Sequence, residues 1–371
     1  MKKIILLLLF IFPCLLFAQD HYLLIGTYTS GKSEGIYVYK FNSTTGDNSF
    51  VSVVKTANPS YLAVSPNKKI VYAVNEVADS TRFTVGGYVA AFAFNKTSGT
   101  LTEINKQSSG GKHPCYVTID KTGHWVFAGN YSSGTVGVLH VKNDGTLDTL
   151  KQMIQHSGSG PNIQRQQGPH VHATVLSADN KYLYVPDLGI DKIMIYSFDK
   201  NKGALKFKSA AASLPGNGPR HFEFAPNNKF AYLMEEMTGT VVCYKAVKGN
   251  LQMQQRISAQ PKNFKGAIGS ADIHVSPDGK FLYCSNRGDA NSISIFTINP
   301  TDGKLTLSGH QSTLGKTPRN FNFDPTGNFL LVANQNSDDV VIFKVNKKTG
   351  GLTDTGKKII VGNPVCLKWI N

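Results

Sequence analysis

Cysteine is scarce in this chain, and the few cysteines do not form a recognisable pattern. Of five cysteines, Cys14 lies in an apolar N-terminal run, and Cys115, Cys243, Cys284 and Cys366 are widely spaced without a C-x-x-C pair. Export would permit disulfides, but this spacing does not resemble a disulfide framework. We therefore expect four buried free thiols and no disulfide.

The sequence also lacks the features of a nucleic-acid-binding protein, although it is strongly basic. Without Lys2 and Lys3 it holds 37 Lys and Arg residues against 24 Asp and Glu, a net charge of +13. The lysines lie mostly on predicted turns, where they solvate the surface and protect strand edges. Neither a basic helix nor an aromatic RNA-binding motif is present. We therefore expect no nucleic-acid partner, and the positive charge favours anionic substrates or surfaces.

An apolar run at the N-terminus has the pattern of a targeting segment. Lys2 and Lys3 precede the apolar residues 4–17, and L-F-A before Gln19 resembles a cleavage site. The run is too short to predict a membrane span. Residues 1–18 are thus predicted to be a signal peptide, and the mature chain to be periplasmic or secreted without stable membrane insertion. An uncleaved anchor is the alternative.

No Pro- or Ser-rich linker and no charge run divides the remaining chain, which instead repeats one unit. In residues 273–298, period-two alternation and the turn P-D-G-K predict short antiparallel strands, and Gly279 can adopt the positive φ that the turn requires. Similar turns recur at separations of 48 to 57 residues. Their first residues are Ser65, Asp120, Ser177, Ala225, Ser276 and Asp324. Four strands per repeat and a period near 50 are typical of a β-propeller.

A seventh repeat is divided between the two ends of the chain. Residues 22–41 match the second and third strands of a repeat, and no first strand precedes them. The missing strand matches N-P-V-C-L-K-W-I at the C-terminus, and pairing it with residues 22–27 would leave no open sheet edge. The sequence therefore predicts an all-β, seven-bladed propeller with four antiparallel strands per blade. We expect residues 19–371 to form this single domain as a monomer.

The register of the repeats places two series of side chains at one mouth of the central channel. The first series lies five residues before each turn: Ser60, Cys115, His172, Arg220, Ala271 and Arg319. The second lies eleven residues after it: Glu76, Tyr131, Leu188, Glu236, Arg287 and Gln335, with Tyr28 equivalent in the split blade. Because the turn returns the chain antiparallel, the two series should meet. Channel positions are more often small or apolar, so the charged members indicate a site.

Five of these residues form an arc over four consecutive blades: His172, Arg220, Glu236, Arg287 and Arg319. Arginine binds carboxylate or phosphate in a bidentate manner, and His or Glu can transfer a proton. This composition predicts a site for an anionic substrate, although a buried Arg–Glu pair can also be structural. His170 and His172 form an H-x-H on a presumed strand, where both could hold a metal. No third ligand of suitable spacing is present, so we predict neither a metal nor another cofactor.

Several motifs resemble the blades of the seven-bladed propeller lactonase family, which includes bacterial 6-phosphogluconolactonases and fungal 3-carboxy-cis,cis-muconate lactonizing enzymes. They include G-T-Y-T-S, G-N-Y-S-S-G-T-V, G-P-H-V-H-A, V-P-D-L-G-I-D, G-P-R-H-F-E-F, N-R-G-D-A-N-S-I and T-P-R-N-F. The resemblance covers essentially the whole mature chain. It implies that His172, Glu236, Arg220 and Arg287 are catalytic. We add substrate-binding roles for Arg319, His170, Tyr131, Tyr28 and Glu76.

The resemblance implies a lactonase that hydrolyses a small anionic sugar-acid lactone, with Glu236 or His172 as general base and the arginines on the anion and the oxyanion. Two alternatives remain open at this point. A cycloisomerase could use the same acid and base, and a non-catalytic propeller could bind an anionic ligand or glycan. The predicted signal peptide does not suit a sugar phosphate used in the cytoplasm, so the substrate could instead be an unphosphorylated aldonolactone.

Overall fold

The computed structural model describes residues 20–80 and 85–370, and the predicted signal peptide, residues 1–18, lies outside them. Within the described residues, twenty-eight strands form seven four-stranded antiparallel sheets, as the repeat predicts. Blade 1 consists of β1 (Asp20–Thr27), β2 (Gly35–Asn42), β3 (Asn48–Lys55) and the C-terminal strand β28 (Pro364–Ile370).

The other six blades are continuous in sequence. Blade 2 consists of β4 (Leu62–Val64), β5 (Ile70–Ser80), β6 (Val85–Asn95) and β7 (Thr100–Ser108). Blade 3 consists of β8 (Pro114–Ile119), β9 (Trp125–Asn130), β10 (Thr135–Val141) and β11 (Leu147–Gln155). Blade 4 consists of β12 (Val175–Leu176), β13 (Tyr182–Asp187), β14 (Lys192–Asp199) and β15 (Ala204–Ala212).

Blades 5 to 7 complete the ring. Blade 5 consists of β16 (Pro219–Phe224), β17 (Phe230–Glu235), β18 (Thr240–Val247) and β19 (Asn250–Ser258). Blade 6 consists of β20 (Ser270–Val275), β21 (Phe281–Asn286), β22 (Ser292–Ile298) and β23 (Leu305–Ser312). Blade 7 consists of β24 (Pro318–Phe323), β25 (Phe329–Asn334), β26 (Asp339–Val345) and β27 (Leu352–Ile360), with a 3₁₀ turn at Gln335–Ser337.

The ring closes through the split blade, and this prediction is confirmed. Strand β28 pairs antiparallel with β1, with Tyr22 opposite Ile370 and Ile25 opposite Leu367. The sheet order is β28-β1-β2-β3, so the C-terminal strand takes the innermost place that the N-terminal segment does not fill. Most first strands contact the first strands of neighbouring blades, and they therefore surround the central channel.

Local side-chain hydrogen bonds explain why the repeated turns form. The Ser276 hydroxyl accepts a hydrogen bond from the Phe281 amide at 3.0 Å, and the Asp324 carboxylate accepts one from the Phe329 amide at 2.7 Å. A Ser or Asp at the first turn position thus satisfies a backbone donor where the chain reverses. Gly279 has a φ of 74°, the left-handed conformation expected from the sequence.

A polar residue ten positions after each turn start ties its blade to the preceding linker. The Asn130 side chain donates to the Ser109 carbonyl at 2.9 Å, and Asn286 donates to the Ala259 carbonyl at 3.1 Å. In blade 5, Glu235 accepts a hydrogen bond from Asn217 at 2.5 Å. These contacts fix the end of the second strand, and the next residue in sequence is the one that faces the channel mouth.

The hydrophobic core lies between the blades. Second strands such as β9, β17, β21 and β25 are buried along their whole length, because a neighbouring sheet covers each face. Outer strands such as β11 alternate between partly buried and exposed residues. The four cysteines Cys115, Cys243, Cys284 and Cys366 are buried and free. Over residues 20–80 and 85–370, no helix has the length and apolar character that crossing a membrane requires.

The channel contains a buried polar cluster that the sequence did not predict. Asp272 on β20 contacts His221 at 2.6 Å and His274 at 3.1 Å, and it accepts a hydrogen bond from Asn320 at 2.5 Å. His274 also contacts Glu223 at 2.5 Å. Since these residues lie on the innermost strands of blades 5, 6 and 7, the cluster joins the three blades at the channel.

One expectation about local structure was wrong. His170 and His172 were placed on a regular first strand of blade 4, but this strand is only Val175–Leu176, with an isolated bridge between Val171 and Asp187. Asp187 accepts hydrogen bonds from the His170 and Gly189 amides and holds the chain in an irregular path. Because the chain is irregular here, the rule that residues i and i+2 of a strand share one face does not apply to His170 and His172.

Candidate active site

A cavity of about 500 Å³ lies at the end of the channel where first strands begin and second strands end. It is lined by Tyr28, Glu76, Cys115, Tyr131, Arg165, His172, Glu236, Gly269, Arg287, Gly288, Thr317 and Arg319. Most members of the two sequence series thus lie together, as their register predicts. Five members of the two series do not line the cavity: Ser60, Arg220, Ala271, Leu188 and Gln335.

The Glu236 carboxylate is bound by three guanidinium groups. Its Oε1 lies 2.6 Å from Arg165 Nη2, and its Oε2 lies 2.9 Å from Arg220 Nε and 3.0 Å from Arg287 Nη2. Glu236 directly follows Glu235, whose side chain is held by Asn217 on the linker of blade 5. This support fixes the backbone from which Glu236 points into the mouth.

Two of these arginines are also held by backbone carbonyls. Arg220 Nη1 donates to the Ala271 carbonyl at 2.7 Å, and Arg287 Nε donates to the Gly269 carbonyl at 2.6 Å. The Arg220 side chain is almost completely buried, and that of Arg287 is 16% exposed. Both groups are therefore fixed in position, with Arg287 in the cavity wall and Arg220 next to it on Glu236.

Arg319 is held differently, since its guanidinium lies 5.3 Å from the centre of the Tyr28 ring. Within the described ranges Arg319 has no hydrogen-bond acceptor and no carboxylate within ion-pair distance. The Tyr28 hydroxyl donates to Glu76 Oε2 at 2.9 Å, and Ser60 donates to the same oxygen. Arg319 therefore presents a partly buried cation with unused donors to the cavity.

His172 lies beside Glu236 without a hydrogen bond between them. Its Nε2 is 3.9 Å from Glu236 Oε2, and its Nδ1 is 3.8 Å from Cys115 Sγ. The ring also packs edge-on against Tyr131 and His221. His172 is buried, yet it reaches the cavity and is not engaged in a strong contact.

The cavity is electrostatically positive, because four guanidiniums stand against the two carboxyl groups of Glu236 and Glu76. Burial favours the neutral form of Glu236, but Arg287, Arg220 and Arg165 outweigh it and lower its pKa to about 2. Burial and the charge of Arg220 hold the pKa of His172 well below its usual range, so the imidazole is neutral at pH 7. Burial likewise raises the pKa of Cys115, which remains a thiol.

Tyr131 lies at the channel mouth, where the register predicts it, but His170 does not line the cavity. Tyr131 lines the cavity, and the His170 ring stacks on it with 4.4 Å between the ring centres. His170 Nδ1 contacts the Tyr131 carbonyl at 2.9 Å, and His170 does not belong to the cavity lining. It supports Tyr131 and lies outside the cavity, contrary to the substrate-binding role we assigned. No group of three or more His, Cys, Asp or Glu residues within 20–80 and 85–370 is arranged to hold a metal ion.

Arg165 is the cavity residue that sequence reasoning missed. It lies on the long connection between β11 and β12, outside the repeated register, and its guanidinium also donates to the Tyr131 hydroxyl at 3.2 Å. The scarcity of arginine, with only six in the chain, was the available signal. Arg165 was one of the three that the register did not account for.

Comparison with known proteins agrees with this architecture. The family model described as "Lactonase, 7-bladed beta-propeller" matches residues 22–369. The chain is 38% identical to a 6-phosphogluconolactonase of Formosa agariphila over 93% of its own length and 98% of that protein. It is 37% identical to a 6-phosphogluconolactonase of Bacillus subtilis over 94% and 97%.

A solved structure is similar over a comparable range. The periplasmic gluconolactonase of Pseudomonas aeruginosa superposes with a TM-score of 0.89 at 35% identity, covering 95% of this chain and 99% of that one. Both the sequence relatives and this structure match along most of the chain. The chain therefore belongs to the seven-bladed β-propeller lactonase family.

Proposed function

We propose that the protein hydrolyses a sugar-acid lactone bearing an anionic group, in the manner of a 6-phosphogluconolactonase. The observation that carries this proposal is Arg319, a partly buried guanidinium that faces the cavity with no acceptor among the described residues. A cation that has lost part of its hydration and has no partner in the protein is a favourable binding site for an anion. A phosphate or carboxylate on the substrate supplies that partner.

In the proposed reaction, His172 is the general base and Glu236 supports it. His172 is neutral and free of strong contacts, whereas three guanidiniums already bind Glu236 and keep its pKa at about 2. When His172 Nε2 takes a proton, the carboxylate 3.9 Å away stabilises the imidazolium. A bound anion also offsets the positive charges that lower the pKa of His172.

The hydrolysis then proceeds in two steps. His172 removes a proton from water as the water oxygen bonds to the lactone carbonyl carbon, and the Arg287 guanidinium stabilises the oxyanion. The ring C–O bond breaks as the carbonyl re-forms, and the imidazolium returns its proton to the departing ring oxygen. The product is the open hydroxy acid. This route uses side chains only, so no metal takes part in it.

An unphosphorylated gluconolactone is the second candidate substrate. The N-terminal signal-peptide pattern supports export, and the similar Pseudomonas protein is a periplasmic gluconolactonase. We propose that the mature chain acts outside the cytoplasm, where an aldonolactone or a carboxylated lactone would replace the sugar phosphate. In that case Arg319 would contact the carboxylate of a uronic-type substrate or of the product.

Variants of the two proposed proton-transfer residues test this function. We expect His172→Ala and Glu236→Gln each to lower the catalysed rate by a factor on the order of 10² or more, with thermal unfolding unchanged in cooperativity. His124→Ala, on an exposed turn of blade 3, is the matched control and should keep full activity. Equal rates in all three variants would refute the proposed chemistry. Activity lost with EDTA and restored by a divalent ion would contradict the metal-free route.

A further inference from the structure

Arg165 differs from the other cavity arginines in how its chain is supported. It lies on the longest connection between two blades in the described ranges, residues 156–174 between β11 and β12. Its backbone is fixed by a local turn, since its amide donates to the Asn162 side chain at 3.1 Å. The next residue, Gln166, is fully buried and donates to the Leu188 carbonyl at 2.8 Å. The loop is thus anchored directly beside Arg165.

The Arg165 side chain, in contrast, is held only at its tip. It is 44% exposed, and both of its hydrogen bonds, to Glu236 and to Tyr131, are made by one nitrogen, Nη2. Arg220 and Arg287 also hold backbone carbonyls, which would be left unpaired if those side chains moved. Arg165 holds no backbone carbonyl, so exchanging Glu236 for another anion leaves no carbonyl unpaired and costs little free energy.

The carboxylate of Glu236 is divided between fixed and movable partners. Its Oε2 faces Arg220 and Arg287, whereas its Oε1 has Arg165 as its only hydrogen-bond partner in the described part of the chain. When Arg165 leaves, Glu236 keeps two fixed guanidiniums and gains a free oxygen in the cavity. Its negative charge is then less neutralised beside His172.

We propose that Arg165 recruits the anionic substituent of the substrate by exchanging Glu236 for it. In the free protein Arg165 binds Glu236, and in the complex it binds the phosphate or carboxylate together with Arg319. The same movement releases Glu236 to stabilise a protonated His172, so binding of an anion raises the reactivity of the base. Arg165 is thereby a residue that determines specificity, and this inference rests on the proposed function.

Binding of inorganic phosphate tests the exchange without relying on turnover. By calorimetry, we expect Arg165→Met to weaken phosphate binding about 10-fold or more, because a charge-assisted contact is lost. Arg165→Lys should retain part of the affinity. Glu236→Gln should bind phosphate more tightly than the wild type, since the competing carboxylate is gone. Arg256→Met is the matched control, because Arg256 pairs with the adjacent Glu235 at 2.7 Å and does not line the cavity.

Kinetics on a pair of lactones, one anionic and one neutral, supply the second readout. Arg165→Met should lower kcat/KM for the anionic lactone about 10-fold or more, and it should change the value for the neutral lactone less than about 3-fold. Phosphate binding by Arg165→Met at wild-type strength, or no phosphate binding by the wild type, would overturn the exchange. A wild type that binds phosphate but hydrolyses neither lactone would refute the proposed function and leave the binding role of Arg165 intact.

Discussion

Replacement of Arg319 by Met gives the sharpest prediction about substrate choice. The change removes the charge but keeps an unbranched side chain that can still pack on the Tyr28 ring. Arg319 makes no ion pair or hydrogen bond within the described ranges, and its ring contact is 5.3 Å from the centroid. We therefore expect the fold to tolerate this variant, with a melting temperature equal to or above that of the wild type.

The expected effect on catalysis follows from the contact that is lost. A hydrogen bond to a charged group contributes about 1.5–3 kcal/mol, which corresponds to a factor of about 10 to 150. Arg319→Met should lower kcat/KM by this factor for 6-phosphogluconolactone and by less than about 3-fold for gluconolactone. The ratio of the two values is the quantity to report, because general damage to the site cancels in it.

The assay follows ring opening at pH 7 by proton release, corrected for spontaneous hydrolysis of each lactone. Arg256→Met, which removes an arginine paired with Glu235 outside the cavity, is the control and should leave the ratio unchanged. An equal loss on both lactones would show that Arg319 serves the oxyanion or the fold. That result would refute its role in binding the anion.

Three further predictions concern stability. Deleting residues 364–371 removes β28, whose Val365, Leu367 and Ile370 are buried. Burial of these three side chains contributes about 5–9 kcal/mol, so the truncation should lose most of a typical free energy of unfolding of about 5–15 kcal/mol. Urea unfolding like that of the full-length protein would contradict the ring closure. Glu236 has a pKa lowered to about 2, so its ionised form should contribute on the order of 3 kcal/mol to the free energy of unfolding above about pH 4.5. This contribution should be lost as the pH falls towards 2, and Glu236→Gln should not show that loss of stability in acid. Burial opposes protonation of His274, but Asp272 and Glu223 raise its pKa to about 10. The contribution of protonated His274 to the free energy of unfolding should therefore be complete below about pH 6.5 and decline as the pH rises to 10. A melting temperature that depends on pH as strongly in His274→Gln as in the wild type would contradict this.

Much of the fold could be predicted because each blade repeats the same local chemistry. The turn residues Ser276 and Asp324 satisfy nearby amides, so their spacing in sequence directly reports the strand register. Asn130 and Asn286 mark the ends of second strands, since each ties down the preceding linker. The ring closure followed from a strand missing at one terminus and surplus at the other.

The arrangement of the cavity residues was predictable only where the repeat sets it. Glu236 and Arg287 follow the strand ends and therefore face the mouth, whereas Arg165 lies on a connection without register. Side-chain conformation decides which arginine binds which carboxylate, and a repeat pattern in the sequence does not specify side-chain conformation. The sequence did not indicate how many arginines Glu236 would contact, and the structure gives it three.

The channel cluster of Asp272, His221 and His274 was missed for a related reason. His274 alternates with apolar residues on β20, so in sequence it has the pattern of an outward-facing polar residue. On an innermost strand, both faces are covered, and His274 meets Asp272 of its own strand as well as Glu223 of the neighbouring blade. His221 meets Asp272 across the same blade boundary. Such contacts join residues about 50 positions apart, which a local pattern does not reveal.

Hydrolysis of lactones by the wild-type mature protein is the most direct test of the proposed function. The measurement compares 6-phosphogluconolactone, gluconolactone and a carboxylated lactone, each against its spontaneous rate and with EDTA present. We expect turnover well above background, a preference for the lactones that carry an anion, and no effect of the chelator. No turnover of any lactone above the spontaneous rate, together with tight binding of the anionic compounds, would contradict lactonase activity and identify the propeller as a binding protein.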